Sequence, residues 1–314
     1  TTYLRAAALV AALAALVPAG VPAADAPAGE AGRTLRVCLD ENAPPLSMKR
    51  GEKAGGFDLA VARAVAERLG RILVVQWFES ELDDEGSPPD QANALLSAGR
   101  CRLVGGYPLF AGALGRSRTG RSRLPEHEGM TPDDRRRWVT LGELVPTRGY
   151  RFDPLAVVLG PTSAGRAIGS LADLKGLRLA VEEGTLADAI LMMYGGAMLV
   201  GGVTHVVPGK GLLEGLERGE HDATLLELHR LDAWRARHPA TRLTASGHYH
   251  SLGFNAGFVG LAADRPLLEA VSTALGELLD GDELPALARD AGLTWLPPRP
   301  PDVLAAIPYA RLRG

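Results

Sequence analysis

Three stretches that follow one another decide the fold: LRVCL at positions 35–39, GGFDLAVARAVAERLG at 55–70 and ILVVQW at 72–77. The first and third are runs of apolar and β-branched residues, which predicts buried strands. In the second, apolar residues recur every three or four positions, which predicts a helix with Asp58 as its N-cap and Gly70 at its end. Strand, helix and strand in this order indicate parallel pairing in an α/β sheet.

The same alternation continues along the chain. A helix at 93–98 and a strand at 102–104 complete a first unit. From Leu155, strands at 155–159, 177–181, 205–207 and 222–226 alternate with helices at 186–194, 212–218 and 228–238. An extended segment at 252–261 and helices at 267–279 and 284–291 follow, and they are expected to return to the first unit. A chain of 314 residues has room for two such units.

The N-terminus predicts export. Arg5 precedes an uncharged, Ala-rich run from Ala6 to Ala24, which has the pattern of a signal peptide cleaved near Ala23 or Ala24. We therefore expect residues 1–24 to be removed and the protein to be a periplasmic monomer. The net charge of −3 gives no reason to expect a nucleic-acid partner, and no motif predicts a cofactor or a metal site.

Export makes the two cysteines, Cys38 and Cys101, candidates for a disulfide. If their strands are parallel neighbours in register, the two residues are offset by three positions, or roughly 10 Å. Bridged Cα atoms lie at most about 7 Å apart. A bond therefore needs a shift of register, and the sequence leaves the question open.

The order of these segments resembles the polar amino-acid-binding family of periplasmic solute-binding proteins. The similar pieces are LRVCLDENAPPLS, GGFDLAVARAVAERLG, LLSAGRCRLVGG, SLADLKGLRLAVEEGTLADAIL, LERGEHDATLLE and LLEAVSTALGELLDGDELPALARDAGL. The resemblance implies a type II periplasmic-binding fold: two doubly wound lobes joined by two crossovers. It divides the chain into lobe 1 at 33–152 plus 247–297, lobe 2 at 153–246, and a Pro-rich tail at 298–314.

The resemblance also implies ligand-binding residues at the carboxyl ends of the strands. Glu227 occupies the family position that pairs with a ligand ammonium group. Gly184 and Thr185 fit the turn that holds a ligand carboxylate at a helix N-terminus.

On the lobe 1 side, Asp40 faces the side chain of the ligand in the family pattern. Ala43 stands where the family has an aromatic residue, and Gly106 and Tyr107 stand where it has small hydroxyl residues. The family arginine that grips the carboxylate has two candidates here, Arg116 and Arg135.

These features predict a protein that captures a small amino-acid-like or amine-bearing solute for an ABC importer and is not an enzyme. Two alternatives stay open. LRVC and AGRC resemble solute-binding-like proteins that accompany periplasmic quinoprotein dehydrogenases, which would make a dehydrogenase the partner instead of an ABC permease. Cyclohexadienyl dehydratases share the fold, and Glu227 or Glu183 would then act as acid or base.

Overall fold

The computed structural model describes residues 33–80 and 87–313. The predicted signal peptide at 1–24 lies outside the described residues. Among the residues that are described, no helix is both long and apolar enough to cross a membrane.

The elements alternate as the sequence predicts. The strands are β1 Thr34–Asp40, β2 Asn42–Ala43, β3 Ser47–Arg50, β4 Lys53–Gly55, β5 Ile72–Phe78, β6 Leu103–Pro108, β7 Gly115–Arg116, β8 Arg121–Arg123, β9 Trp138–Thr140, β10 Glu143–Leu159, β11 Leu179–Glu182, β12 Val203–Val206, β13 Ala223–Glu227 and β14 Thr244–Leu261. The α-helices are α1 Phe57–Arg68, α2 Pro88–Ser97, α3 Pro132–Arg136, α4 Leu186–Met193, α5 Leu212–Glu217, α6 Leu228–Arg237, α7 Arg265–Asp280, α8 Glu283–Ala291 and α9 Tyr309–Arg313.

One large sheet runs through the molecule in the order β12-β11-β13-β10-β14-β6-β1-β5. At one end β1 is parallel to both β5 and β6, and at the other end β11 is parallel to both β12 and β13. The long strands β10 and β14 pair with each other in antiparallel fashion and connect the two halves. We call the half with β1 lobe 1, the half with β11 lobe 2, and β10 with β14 the crossover strands.

Each lobe has apolar clusters formed by different sets of helices. In lobe 1, α1, α7 and α8 contribute to one buried cluster and α2 contributes to another. In lobe 2, α4 contributes to one cluster, and α5 and α6 contribute to the other. The predicted α/β, doubly wound architecture is confirmed, whereas the residue boundaries of the lobes stay a prediction.

Cys38 and Cys101 form a disulfide, with Cα atoms 5.6 Å apart. The pairing of β1 with β6 aligns Cys38 with Val104, so the offset of three residues is present as expected. The chain bends at Arg102 instead of continuing extended, and this bend returns Cys101 to the level of Cys38. A local bend, and not a shifted register, makes the bond possible.

One local prediction is wrong. Gly56, not Asp58, is the N-cap of α1, and the Asp58 side chain is buried. The arginine-rich segment, residues 116–137 with seven arginines, includes β8 and α3, and β8 pairs with β9 in a small sheet of its own.

Candidate functional site

A cavity of about 80 Å³, which we call the cleft cavity, lies between the lobes beside the crossover strands. Its wall consists of Gly106, Pro108, Arg151, Asp153, Leu155, Leu186, Glu227, Gly253, Phe254, Asn255 and Ala256. Strands β6 and β13 reach it with their carboxyl ends, and helix α4 reaches it with its first residue. This is the place where open α/β sheets bind ligands.

A second cavity of about 190 Å³, the lobe 1 cavity, adjoins the first. Its wall includes Asp40, Ala43, Ser47, Asp58, Phe78 and Tyr107. Gly106 and Pro108 line both cavities. The two cavities therefore meet at the end of β6 and together form one site.

Arg151 supplies the guanidinium group of the cleft cavity, and it is almost fully buried on crossover strand β10. Its Nη1 donates to Asp153 Oδ2 over 2.8 Å, whereas its Nε lies 3.5 Å from Asp58 Oδ1 and makes no hydrogen bond. Oδ1 of Asp153 is also 2.9 Å from His229 Nδ1. A buried cation is thus held between two carboxylates, which compensate its loss of hydration.

The two carboxylates differ in how readily they take up a proton. Burial raises the pKa of Asp58, and the nearby Arg151 and Tyr150 offset only part of that shift. Burial acts in the same direction on Asp153, but His229 and Arg151 outweigh it and lower its pKa. Asp58 is therefore the acid of this network that is protonated first as the pH falls.

Gly106 connects the network to the backbone of β6. Its N–H donates to Tyr150 Oη over 2.7 Å, and the Tyr150 hydroxyl donates to Asp58 Oδ1 over 2.9 Å. Gly106 has φ +70°, and a Cβ at this position would lie only 2.6 Å from Asp58 Oδ2. The backbone of β6 can approach the carboxylate this closely because the residue is a glycine.

Glu227 ends β13 on the lobe 2 side of the cleft cavity, where its side chain is 36% exposed. Arg230 lies 3.6 Å from it, but Arg230 also makes two 2.6 Å bonds to Glu182. One guanidinium group thus serves two carboxylates and favours Glu182. The negative charge of Glu227 is therefore only partly neutralised by Arg230 and can attract a cationic group in the cavity.

Gly184 and Thr185 do not line either cavity in the structure. The Thr185 hydroxyl accepts from Asp188 N and donates to the Glu182 carbonyl, which makes it the N-cap of α4. The N–H of Gly184 donates to Asp188 Oδ2. The first residue of α4, Leu186, reaches the cleft cavity instead.

The other predicted residues of lobe 1 lie at the lobe 1 cavity. Asp40 accepts a hydrogen bond from Asn42 N over 2.7 Å, and Ala43 contributes only a methyl group to the wall at the position where the resemblance implies an aromatic residue. The hydroxyl of Tyr107 donates to Ala113 O, and its side chain is buried. Asp40, Ala43, Gly106 and Tyr107 are therefore brought together, although they lie on three different strands, β1, β2 and β6.

Neither candidate for the family arginine lines a cavity of this site. Arg116 has a side chain that is 89% exposed and lies 3.5 Å from Glu143. Arg135 pairs with Glu126 over 2.6 Å on the arginine-rich segment. Arg151, which the sequence analysis did not single out, is the guanidinium group that the structure places in the cleft cavity.

The sequence contains a signal for this network. Arg151 and Asp153 stand two positions apart within a crossover, so a single face of a mostly apolar strand presents two charges. Charges on such a strand indicate a buried pair or a ligand site. His229 gave no such signal, because it lies on a helix of mixed composition.

No family model and no curated protein matches the sequence. Solved structures do match it. The second substrate-binding domain of GlnP from Lactococcus lactis, in an open conformation, is 15% identical with a TM-score of 0.58, and the match covers 83% of this chain and 95% of that one. The unliganded, open L-cystine solute receptor of Neisseria gonorrhoeae is 20% identical with a TM-score of 0.56, covering 83% and 93%.

An ancestral cationic amino acid solute-binding protein is 17% identical with a TM-score of 0.55, covering 82% of this chain and 94% of that one. At identities this low, the structural likeness shows the fold alone. The chain has the type II periplasmic-binding fold. The resemblance found in the sequence is confirmed at that level, and the neighbours are binding proteins of the same two-lobed architecture.

Proposed function

We propose that this protein is an extracytoplasmic solute-binding protein that captures a small amine-bearing ligand, such as a cationic amino acid, for an ABC importer. Glu227 carries the proposal. Its carboxylate projects into the cleft cavity from the carboxyl end of β13 and shares its nearest cation with Glu182. A carboxylate that loses water when a ligand enters is costly unless it meets a positive group.

The charge balance around the two cavities supports the same ligand class. Among the residues that line the two cavities, carboxylates outnumber guanidinium groups: Asp40, Asp58, Asp153 and Glu227 stand against Arg151. The excess of negative charge favours a ligand with one or more cationic groups. Arg151 lines the cleft cavity and carries a guanidinium group, which supports an additional contact to a ligand carboxylate, as an amino acid would provide.

The test begins with a thermal-shift screen of amino acids, amines and small carboxylates, because a ligand at 100 times its Kd stabilises the fold by about 2.7 kcal/mol. Calorimetry with the best ligand then compares the parent with Glu227→Gln. Loss of one partner of a buried charge pair costs about 2–5 kcal/mol, so the affinity should fall by roughly 30-fold to several thousand-fold.

The matched control is Glu214→Gln, which makes the same exchange on the exposed side of α5, away from the cleft. It should leave the affinity unchanged. Equal binding by Glu227→Gln and the parent, or a best ligand without a positive group, would contradict the amine assignment.

A second candidate function is an accessory role beside a periplasmic quinoprotein dehydrogenase. The specific observation in its favour is that LRVC and AGRC, the two sequences that carry this resemblance, are joined by the Cys38–Cys101 disulfide. Small-angle scattering at saturating ligand separates the two functions. A smaller radius of gyration supports solute capture by hinge closure, and an unchanged profile supports a rigid accessory protein.

A further inference from the structure

The C-terminal segment Thr294–Arg313, which follows α8, is fastened along its length and does not simply lie on the surface. Its first contact is with lobe 2, where the backbone N and the hydroxyl of Thr294 donate to the Asp232 carboxylate on α6 over 2.7 and 2.9 Å. The segment then meets crossover strand β10. Trp295 Nε1 donates to Tyr150 O over 3.0 Å, and Phe152 N donates to Leu296 O over 2.9 Å.

The next contact is with the other crossover strand, β14. The N–H of Arg299 donates to Asn255 Oδ1 over 2.9 Å, and Asn255 Nδ2 lies 2.6 Å from the Arg299 carbonyl. The Arg299 guanidinium group stacks 4.1 Å above the Phe152 ring. Asn255 belongs to the wall of the cleft cavity, so the segment holds one side of that wall in place.

The segment then binds lobe 1 and returns at once to lobe 2. Leu304 pairs with the chain after β6, since its N–H donates to Leu109 O and its carbonyl accepts from Ala111 N, both over 2.9 Å. Ile307 and Leu312 pack against the apolar cluster of lobe 2, where α9 contacts α4. Only Ala305 and Ala306, both exposed, stand between Leu304 and Ile307.

This spacing limits how far the lobes can separate. Three residue steps join Leu304 to Ile307, and an extended chain spans at most about 3.6 Å per step, or roughly 11 Å in all. The connection lies near the cleft, because Phe110, beside the Leu304 contact, packs edge-on against Phe254 of the cavity wall at 5.8 Å. Lobe motion beyond this reach must break one of the two attachments.

We infer that residues 304–313 are a latch that ties lobe 1 to lobe 2 beside the cleft and restricts lobe opening until one attachment is released. The crossover strands β10 and β14 allow the hinge motion expected of this fold, and the latch adds a further connection with a short reach. Access of a ligand to the cleft then depends on the latch as well as on the hinge. The inference does not depend on the ligand, so it can be tested on the free protein.

The test measures the distance between the lobes by pulsed electron spin resonance in the absence of ligand. Nitroxide labels are attached at Glu67→Cys on α1 and Glu214→Cys on α5, both exposed positions. The native cysteines are bridged to each other and do not react. Inserting Gly-Ser-Gly between Ala305 and Ala306 lengthens the connection by up to about 11 Å without changing either attachment. We expect the inter-lobe distances to shift to longer values and to spread more widely.

A pair of substitutions in α9 provides the independent check. Leu312→Asp places a charge against the lobe 2 cluster and should detach the helix, with the same shift as the insertion. Ala310→Asp places the same side chain on the exposed side of α9 and should leave the distances unchanged. An unchanged distance distribution in the insertion variant overturns the latch, whatever Leu312→Asp does. A shift of equal size in Ala310→Asp overturns it as well, because the effect would not require release from lobe 2.

Discussion

Replacing Arg151 by Gln should destabilise the protein strongly and in a pH-dependent way. The guanidinium group is buried and stands between two carboxylates, with Asp153 at 2.8 Å and Asp58 at 3.5 Å. Its removal leaves both acids in a poorly hydrated place without their shared cation. Breaking a buried ion pair in this way costs about 3–5 kcal/mol.

The structure sets the size of the effect within that range. Asp153 keeps its bond to His229, so it retains one partner. The pKa of Asp58 is already raised by burial, and loss of Arg151 raises it further. Protonation of Asp58 can therefore remove the uncompensated charge and relieve part of the loss. We expect a destabilisation in the lower half of the range, about 3–4 kcal/mol near neutral pH. At about 2–4 °C for each kcal/mol, the melting temperature should fall by roughly 6–16 °C.

The pH dependence follows from the direction of the Asp58 shift. The pKa of Asp58 in the folded protein lies above its ordinary value of 3.8, which applies to the unfolded chain. As the pH falls, this carboxyl group is therefore protonated in the folded state before it is protonated in the unfolded state. The folded variant therefore gains stability as the pH falls from the raised pKa of Asp58 toward 3.8, by up to about 1.4 kcal/mol per pH unit. The deficit of Arg151→Gln relative to the parent should be smaller at about pH 5 than at about pH 7.5.

The assay is urea unfolding of both proteins at the two pH values, with Arg116→Gln as the control. Arg116 is 89% exposed and 3.5 Å from its partner, so its replacement should cost less than about 0.5 kcal/mol. Adding Asp58→Asn to Arg151→Gln should recover part of the loss, because the uncompensated charge is then removed. A loss below about 1 kcal/mol for Arg151→Gln, or one that is equal at both pH values, would refute this account of the network.

Two further predictions concern the disulfide and the end of β6. The Cys38–Cys101 bond joins residues with a sequence separation of 63, so the Cys38→Ala/Cys101→Ala variant should lose about 4 kcal/mol of unfolding free energy. Thiol titration of the parent checks that the bond is intact. An unchanged denaturation midpoint in the variant would then contradict the prediction. Gly106→Ala and Gly184→Ala should differ although the two glycines have similar φ values, +70° and +74°. A new Cβ at Gly106 would lie 2.6 Å from Asp58 Oδ2, whereas a Cβ at Gly184 would meet nothing within 4 Å. Thermal unfolding should show a cost of about 1 kcal/mol for Gly184→Ala and about 1–3 kcal/mol more for Gly106→Ala, and equal losses would argue against the steric contact.

Much of the fold was predictable from the sequence, because hydrophobic periodicity and turn residues act over a few positions. Helix α6 was expected at 228–238 and is found at Leu228–Arg237, and the strand expected at 72–77 is β5 at Ile72–Phe78. The rule that α/β sheets bind ligands at the carboxyl ends of their strands placed Asp40, Gly106 and Glu227 near the site from sequence alone. These inferences needed the order of the elements but not their contacts.

The tertiary structure decided what depends on distances between remote parts of the chain. Hydrophobic periodicity does not reveal a bend of a single residue. The sequence therefore did not predict the bend at Arg102 and could not decide whether the disulfide forms. The partners of Arg151 are equally hidden, because Asp58 is separated from it by most of lobe 1 and His229 by most of lobe 2. For the same reason, the sequence showed that the tail is Pro-rich but did not predict its attachment to both lobes. Local patterns determine the elements and their order, whereas which charges meet and which lobes are tied is set by the packing that brings distant residues within a few ångströms.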